Sequence, residues 1–284
     1  MTIAFFNGEY KPLSEVTISP LDRGFLFGEG IYEVIPVLQS ELVAPQLHLA
    51  RLKTGLSALS ITLDYSQEQL IDALNQVIGR NRLVSGSVYL HVTRGTSEKR
   101  NHAFPDVCKA TSLIMVQSIN ESNASEAIQP LKASLQRDTR WRNCHIKSTS
   151  LLGNVLHYQH AKDQGTHESI LYNDDNIVTE GSTSNVFVLK GNKLFTHPLD
   201  SQVLPGITRH ILLDVAKQHS TLEVTEHPVT VDELLAADEV WISSSSKGLA
   251  PIVSIDEHNI GNGEVGAMAK QLSDLYVNHL VDYR

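Results

Sequence analysis

Residues 31–60, IYEVIPVLQSELVAPQLHLARLKTGLSALS, contain the change in hydrophobic period that decides the fold class. The first half consists of β-branched runs separated by a polar turn at residues 39–41, which predicts two paired strands. In the second half, leucines recur at spacings of 3, 4 and 3 residues, at Leu49, Leu52, Leu56 and Leu59. This spacing predicts an amphipathic helix with one buried face. The stretch therefore combines strands with a helix.

Both signals occur again along the rest of the chain. Hairpin turns are predicted at Asn7-Gly8, at residues 173–176 and at Gly191-Asn192. Two helices should begin at the capping boxes of Ser66 and Thr230, and others are predicted at residues 151–163, after the LPGITRH stretch and at the C-terminus. A strand is expected to lead into Lys147. Because hairpins dominate over strict strand–helix–strand alternation, the sequence predicts an α+β fold.

A polar stretch near the middle of the chain indicates two domains. Residues 118–127, SINESNASEA, have no consistent hydrophobic period, which is typical of a linker. We therefore predict an N-terminal small α/β domain at residues 1–120, a linker at 121–127 and a larger α+β domain at 128–284 that carries Lys147. A chain of 284 residues is long enough for one large or two medium domains.

Composition excludes several classes of partner. The net charge of −9 argues against a surface for nucleic acid or anionic membranes, since both favour clustered lysine and arginine. The two cysteines, Cys108 and Cys144, lie outside any metal-binding spacing, so no metal site is predicted. The N-terminus lacks a basic segment followed by a long apolar run, and no stretch approaches the ~18 to 20 apolar residues of a membrane span. We expect a cytoplasmic protein without a membrane or nucleic-acid partner.

The stretch RNCHIKSTSLLGNV, residues 142–155, places one lysine, Lys147, between an alternating segment and an apolar helical segment. Burial lowers the pKa of a lysine, and a neutral amine can form a Schiff base with a carbonyl compound. A carbonyl cofactor with a phosphate and a ring nitrogen would also need an anion-binding cup and a carboxylate. Taken alone, Lys147 is better explained as a solvated side chain at the end of a strand.

Candidates for these supporting groups follow along the chain. The Pro-Gly pair at residues 205–206 leads into a helix, which leaves the backbone N–H groups of Ile207 and Thr208 available for a phosphate. Arg51 lies at the edge of an apolar helix face, and Glu180 ends an apolar strand before a polar turn. Four serines at residues 243–246 follow another apolar strand. Each feature also has a simple structural explanation, so only their combination is informative.

The order of these features resembles the fold-type IV pyridoxal-phosphate enzymes (aminotransferase class IV), and within them the D-amino acid transaminases. The similarity extends over nearly the whole chain and rests on the motifs DRGFLFGEGIYEV, HLARL, VTRGTSEKRNHAFP, IKSTSLLGNVL, TEGSTSNVF, LPGITR and SSSSKGLAP. The resemblance implies a two-domain α+β enzyme with pyridoxal 5′-phosphate bound between the domains. It also implies a homodimer in which the KRNHAFP loop reaches into the neighbouring chain's site.

The resemblance assigns roles to individual residues. It implies that Lys147 forms the Schiff base with the cofactor and carries out the 1,3-proton shift, and that Glu180 faces the pyridine nitrogen. The remaining cofactor-binding positions that it implies are Arg51, Leu204, Ile207, Thr208 and Ser245, with Ser244 as the alternative hydroxyl. Leu204 would lie against the ring, and the others would bind the phosphate.

The substrate is implied by a loop and a tyrosine. Arg100, His102 and Tyr32 match the residues that bind the substrate α-carboxylate in D-amino acid transaminases, which implies amino transfer from D-alanine to 2-oxoglutarate to give pyruvate and D-glutamate. Two alternatives within the family are a lyase acting on aminodeoxychorismate and a branched-chain L-amino acid aminotransferase, whose relatives lack this RNH pattern. A third, a non-catalytic pyridoxal-phosphate carrier, has no use for a carboxylate-binding loop.

Overall fold

The computed structural model describes residues 1–118 and 128–284, and the chain divides into two compact units. The described part of the first unit is residues 1–118, 146–151 and 283–284, and that of the second is residues 128–145 and 152–282. The predicted linker at 121–127 lies outside the described residues. Within the described ranges, no helix is long and apolar enough to cross a membrane.

The described strands of the first unit form an antiparallel six-stranded sheet in the order β2-β1-β6-β5-β3-β4. The strands are β1 (Ile3–Phe6), β2 (Glu9–Pro12), β3 (Gly30–Leu38), β4 (Glu41–Leu42), β5 (Gly86–Thr93) and β6 (Thr111–Ser118). The helices are α1 (Arg23–Phe27), α2 (Pro45–Ala58) and α3 (Gln67–Asn81). Apolar side chains of α2 and α3 pack with those of the sheet in one core.

Local sequence explains these elements. The β1–β2 hairpin turns at Asn7 and Gly8, both with positive φ, as an Asn-Gly hairpin requires. Ser66 and Gln69 form the predicted capping box of α3, in which each side chain accepts from the other residue's backbone N–H. The leucine stripe of α2 is buried as predicted, apart from Leu59, which is partly buried beyond the end of the helix.

The second unit contains a larger mixed sheet with the order β12-β11-β10-β14-β15-β7-β8-β9-β13, and β16 pairs with β15. Its strands are β7 (Leu131–Arg137), β8 (Glu168–Tyr172), β9 (Ile177–Gly181), β10 (Asn185–Lys190), β11 (Lys193–Thr196), β12 (Glu223–Glu226), β13 (Val229–Thr230), β14 (Glu239–Ser244), β15 (Gly248–Ile255) and β16 (His258–Asn259). Its helices are α4 (Leu152–Asp163), α5 (Ile207–His219), α6 (Val231–Leu235) and α7 (Ala267–His279). The hairpins and helices predicted for this half are confirmed, and so is the α+β class.

The prediction that a strand leads into Lys147 is wrong. Residues 138–151 contain no strand, and Ser148 makes only an isolated bridge with Ile31. The main chain turns at Asp138, whose side chain accepts from the backbone N–H of Arg140 at 3.0 Å. Such a side-chain acceptor competes with strand pairing, which explains why the alternating pattern does not produce a strand here.

Segment 146–151, which contains Lys147, belongs to the first unit. The backbone N–H of Tyr32 donates to the carbonyl of Lys147 at 3.1 Å, and that of Thr149 donates to the carbonyl of Gly30 at 2.9 Å. The domain boundary predicted from the sequence had instead assigned Lys147 to the C-terminal domain at residues 128–284. Sequence position alone did not reveal that the segment pairs with the start of β3.

Candidate active site

In the first unit, Lys147 lies beside Tyr32. The Lys147 Nζ is 4.2 Å from the centroid of the Tyr32 ring, which is within the range of a cation–π contact. Tyr89 on β5 continues the aromatic surface, with its ring centroid 5.7 Å from that of Tyr32. The structure therefore brings together the lysine and the tyrosine that the sequence selected as candidate catalytic and substrate-binding residues.

Arg51, the candidate phosphate ligand, is held by the carboxylate of Glu33. Its Nε donates to Glu33 Oε1 at 2.8 Å, and one terminal nitrogen donates to Oε2 at 2.6 Å. Glu33 lies on the buried face of β3, and His48 Nδ1 is 2.7 Å from the same Oε2. A bidentate arginine–carboxylate pair restricts the guanidinium strongly, so the direction of Arg51 is set by Glu33.

The charges in this cluster follow from burial and pairing. Burial alone would raise the pKa of Glu33, but the charge and hydrogen bonds of Arg51, with a contribution from His48, lower it to about 2. Burial lowers the pKa of His48, and the positive charges of Arg51 and Lys147 add to this effect against the opposing carboxylate of Glu33. Near neutral pH the cluster therefore contains an ionised Glu33 and a neutral His48 that donates from Nδ1.

In the second unit, Glu180 is the second-to-last residue of β9, and its side chain is buried. Its Oε1 accepts from Arg140 at 2.7 Å, and its Oε2 accepts from the backbone N–H of Leu204 at 2.8 Å and from the Asn185 amide at 3.2 Å. Arg140 also makes an ion pair with Asp138 at 2.8 Å. Because an ionised carboxylate has about four acceptor positions, Glu180 retains capacity for a further N–H donor.

Burial raises the pKa of Glu180, although Arg140 and the N–H of Leu204 oppose this shift. Burial acts on Arg140 in the direction of a lower pKa, but hydrogen bonding and charge from Asp138 and Glu180 outweigh it and raise the pKa. Arg140 thus stays cationic. A buried carboxylate of this kind interacts strongly with a second cationic N–H, because charges attract more strongly away from water.

The candidate anion-binding position lies at the start of α5. Gly206 is the N-cap of this helix and provides no side-chain acceptor for the N–H groups of the first turn, where Ile207 and Thr208 lie. A Cβ at Gly206 would collide with Asn185 Oδ1, so a larger residue here would displace the Asn185 side chain that contacts Glu180. The helix start therefore suits a phosphate group.

The serine run lies at the end of β14. Ser244 is the last residue of this strand, and Ser245 follows in the turn, half-buried. The Ser244 hydroxyl lies 3.3 Å from that of Ser246. The hydroxyl of Ser243 is buried and has no hydrogen-bond partner among the described residues. These positions leave both predicted hydroxyl candidates, Ser245 and Ser244, accessible to a ligand.

Arg100 and His102 lie together on the loop that connects β5 and β6. The guanidinium carbon of Arg100 is 5.1 Å from the centroid of the Phe27 ring, and the His102 ring is 5.3 Å from the same ring. Both side chains are exposed. The structure thus groups these two candidates with Phe27, while Tyr32 is grouped with Lys147.

The sequence analysis did not identify five residues of these clusters. They are Glu33, His48, Asp138, Arg140 and Asn185. Glu33 had a usable signal, since it occupies the same face of β3 as Ile31 and Ile35, where the alternation requires an apolar residue. Asp138 and Arg140 gave no comparable signal, because they lie in an irregular segment.

The chain matches the amino-transferase class IV family over residues 30–255. It belongs to this family. A D-alanine aminotransferase of Staphylococcus epidermidis is 35% identical to this aminotransferase over 280 residues, which cover 99% of this chain and 98% of the relative. A D-alanine aminotransferase of Listeria innocua is 35% identical over 276 residues, with 97% and 95% of the two chains covered.

Solved structures confirm the fold. The branched-chain amino acid aminotransferase of Escherichia coli superposes with a TM-score of 0.89 at 23% identity, covering 97% of this chain and 93% of that one. A hypothetical aminotransferase of Mycobacterium tuberculosis, solved in its pyridoxal-phosphate-bound form, gives 0.86 at 19% identity and covers 99% and 100% of the two chains. Class IV aminotransferases use pyridoxal 5′-phosphate, and this enzyme is a pyridoxal-phosphate-dependent aminotransferase.

The described residues fit this cofactor. The uncapped start of α5 and the arginine fixed by Glu33 are suited to its phosphate, and the buried Glu180 with its spare acceptor position is suited to its ring nitrogen. The side chain of Lys147 is an amine of the kind that can form a Schiff base with the cofactor aldehyde. No cluster of three or more histidine, cysteine or acidic side chains that could hold a metal ion is found within residues 1–118 and 128–284.

The Glu33–Arg51 pair should make the free energy of unfolding depend on pH. Glu33→Gln leaves the Arg51 charge buried without its counterion, which should lower the free energy of unfolding by about 3–5 kcal/mol at pH 7. Because the pKa of Glu33 in the fold lies below its ordinary value of 4.5, the charged form is stabilised by folding. The advantage of the wild type should be complete above pH 4.5 and should disappear as the pH falls through about 2. Urea unfolding at several pH values measures both.

Glu41→Gln is the matched control. Glu41 lies on β4 of the same sheet, but its side chain is 62% exposed and its partner, Arg284, is 3.4 Å away. Its loss should cost less than ~1 kcal/mol at every pH. An equal cost for the two substitutions, or a Glu33→Gln cost that does not change with pH, would contradict the ionised buried pair.

Proposed function

We propose that this aminotransferase transfers the amino group of D-alanine to 2-oxoglutarate and forms pyruvate and D-glutamate. The observation that carries the proposal is the pair of exposed side chains, Arg100 and His102, held next to each other at Phe27. An arginine and a histidine together can bind an α-carboxylate through charge-assisted hydrogen bonds. The names of the relatives at 35% identity support the same substrate.

One group of candidate residues would hold the cofactor, which when bound supplies an electron sink for the substrate α-carbon. Arg51, the N–H groups of Ile207 and Thr208 and the hydroxyl of Ser245 or Ser244 bind the phosphate. Glu180 holds the proton on the ring nitrogen, and Leu204 packs against the ring. That Lys147 and Arg51 of the first unit and Glu180 of the second serve the same cofactor remains a prediction.

Lys147 acts as the base and acid that moves the substrate α-proton. A positioned group of this kind typically contributes about 10²- to 10⁴-fold to the rate. Lys147 reaches only one face of the substrate, so the handedness of the product depends on how the substrate carboxylate is held. Binding of the carboxylate by Arg100, His102 and Tyr32 is the step that selects the D-enantiomer.

A substrate comparison tests this proposal directly. The purified enzyme is assayed with D-alanine and with L-leucine, each with 2-oxoglutarate, and separately with aminodeoxychorismate. We expect D-alanine to be preferred, with kcat/KM for L-leucine at least ~10²-fold lower, because the carboxylate contacts are lost in the wrong orientation. Preference for L-leucine or for aminodeoxychorismate would assign the enzyme to the corresponding alternative. Cofactor binding without turnover of any of them would favour a carrier.

The role of Lys147 can be tested independently of the substrate. Borohydride reduction of the purified enzyme should add the mass of the cofactor to the peptide that contains Lys147. Borohydride reduces the C=N bond of a Schiff base to a stable C–N bond, so only a lysine joined to the aldehyde is labelled. Lys147→Ala should remove both the label and turnover. Lys193→Ala, which removes an exposed lysine of β11, should retain both. A label on another lysine would refute the assignment.

Exposed apolar side chains support a homodimer. In the first unit Phe25 is 76% exposed and Val107 is 91% exposed, and α4 of the second unit exposes Leu152, Val155 and Leu156. The three residues on α4 lie on one helix face at spacings of three and one. Exposed apolar clusters of this kind are typical of surfaces that bind another protein chain. We therefore propose that the enzyme works as a dimer in which the loop carrying Arg100 serves the partner's site.

Light scattering tests the dimer. The wild type should have twice the chain mass at assay concentration, and Leu156→Lys should increase the monomer fraction because it places a charge in an apolar interface. Val84→Lys, at an exposed apolar position outside α4, is the control and should leave the mass unchanged. A fully active monomeric wild type would contradict the proposal.

The proposed location is the cytoplasm. Cys108 and Cys144 are free thiols in the structure, which is typical of proteins from reducing compartments. Co-fractionation of the protein with soluble cytoplasmic enzymes is the expected result.

A further inference from the structure

Arg23, the first residue of α1, is one of the largest fully buried side chains in the described part of the chain. One terminal nitrogen of its guanidinium donates to the carbonyl of Asn101 at 2.6 Å, and the other donates to the carbonyl of His102 at 3.2 Å. Arg23 thus binds two consecutive main-chain groups immediately after Arg100. These bonds hold the segment that carries the candidate carboxylate-binding side chains.

Arg23 is itself held by Glu29. Its Nε donates to Glu29 Oε2 at 2.5 Å, and the guanidinium carbon lies 4.7 Å from the centroid of the Phe27 ring. The same Oε2 accepts from Arg94 Nε at 2.9 Å, and Arg94 donates to the carbonyls of residues 59 and 60 just after α2. The loop is therefore connected through Glu29 to the end of the helix that carries Arg51.

The loop has little other regular structure to fix its conformation. Residues 98–110 lie between β5 and β6 without strand or helix. In such a segment, buried side-chain donors determine where the main chain runs. A guanidinium has five donors in a planar fork, so it can bind two carbonyls and a carboxylate at once, whereas a lysine ammonium cannot reproduce this geometry.

We propose that Arg23 is the positioning residue of the substrate carboxylate-binding loop, an inference that rests on the proposed function of Arg100 and His102. Arg23 does not contact the substrate. It fixes the backbone at residues 101 and 102, and it shares the Phe27 ring with both side chains. Because the D-amino acid and the 2-oxo acid share the α-carboxylate, loss of this positioning weakens the binding of both substrates.

The test compares Arg23→Lys and Arg23→Gln with the wild type. Misplacement of a binding group by about 1 Å can cost ~10²-fold, so we expect KM for D-alanine and for 2-oxoglutarate to rise roughly tenfold or more in each variant. We expect kcat to change less than about threefold and the absorption spectrum of the bound cofactor to stay the same. Hydrogen exchange of the amides at residues 98–104 should become faster.

A double-mutant cycle separates positioning from a general structural role. If Arg23 acts through Arg100, then Arg23→Lys in an Arg100→Ala background should add less than about threefold to KM, because the group that it positions is already lost. Arg80→Lys is the control. Arg80 lies on α3, and its guanidinium carbon is 4.4 Å from the centroid of the Tyr10 ring, so the substitution exchanges an arginine of the same unit away from Glu29 and the loop and should leave KM within about threefold.

The outcomes are distinguishable. Multiplicative effects on KM in the double variant, or unchanged loop exchange in Arg23→Lys, would refute the positioning role. If the wild type proves inactive on D-alanine but active on another amino acid, the proposed function fails, and the same cycle is measured with that substrate. If Arg23→Gln does not fold, Arg23→Lys decides the question, because it retains the positive charge opposite Glu29.

Discussion

A buried carboxylate needs hydrogen-bond donors from the protein to replace those of water, and Glu33 is such a carboxylate in the first unit. The side chain faces the core side of β3 between Ile31 and Ile35. Left unpaired, a buried charge would cost several kcal/mol. Arg51 and His48, one helical turn apart on α2, provide the donors. The packing of α2 against the sheet and the direction of Arg51 therefore depend on the same ion pair.

The second unit also contains a buried carboxylate, that of Glu180, but its charge is less completely neutralised than that of Glu33. Glu33 receives two nitrogens of one arginine, and its pKa falls to about 2. Arg140, in contrast, is shared between Asp138 and Glu180, so burial dominates and the pKa of Glu180 rises. An incompletely neutralised carboxylate attracts a further positive group. The sharing of Arg140 thus explains physically why Glu180 suits a protonated ring nitrogen.

The sequence predicted those parts of the protein that are determined locally. Hydrophobic period and capping boxes identified the helices α3 and α6 and the hairpins, because the deciding residues are within a few positions of one another. The partners of the buried carboxylates could not be found in this way. Arg140 and Glu180 are 40 residues apart, and the separation of Glu33 and Arg51 is 18. In neither pair does the sequence identify the partner. The irregular segment before Lys147 was mistaken for a strand because its alternating pattern did not reveal the turn at Asp138.

Different parts of this chain are candidates for determining its fold and its substrate. The branched-chain aminotransferase of Escherichia coli has a TM-score of 0.89 at only 23% identity, so the similarity of the two structures shows the fold and not the substrate. The loop between β5 and β6 is a better candidate for substrate choice, since it has no regular structure from residue 98 to 110. Its conformation depends on buried donors outside it, foremost Arg23. Substitutions at such an anchor can alter binding without touching the substrate, and a motif in the loop alone is therefore an incomplete guide to specificity.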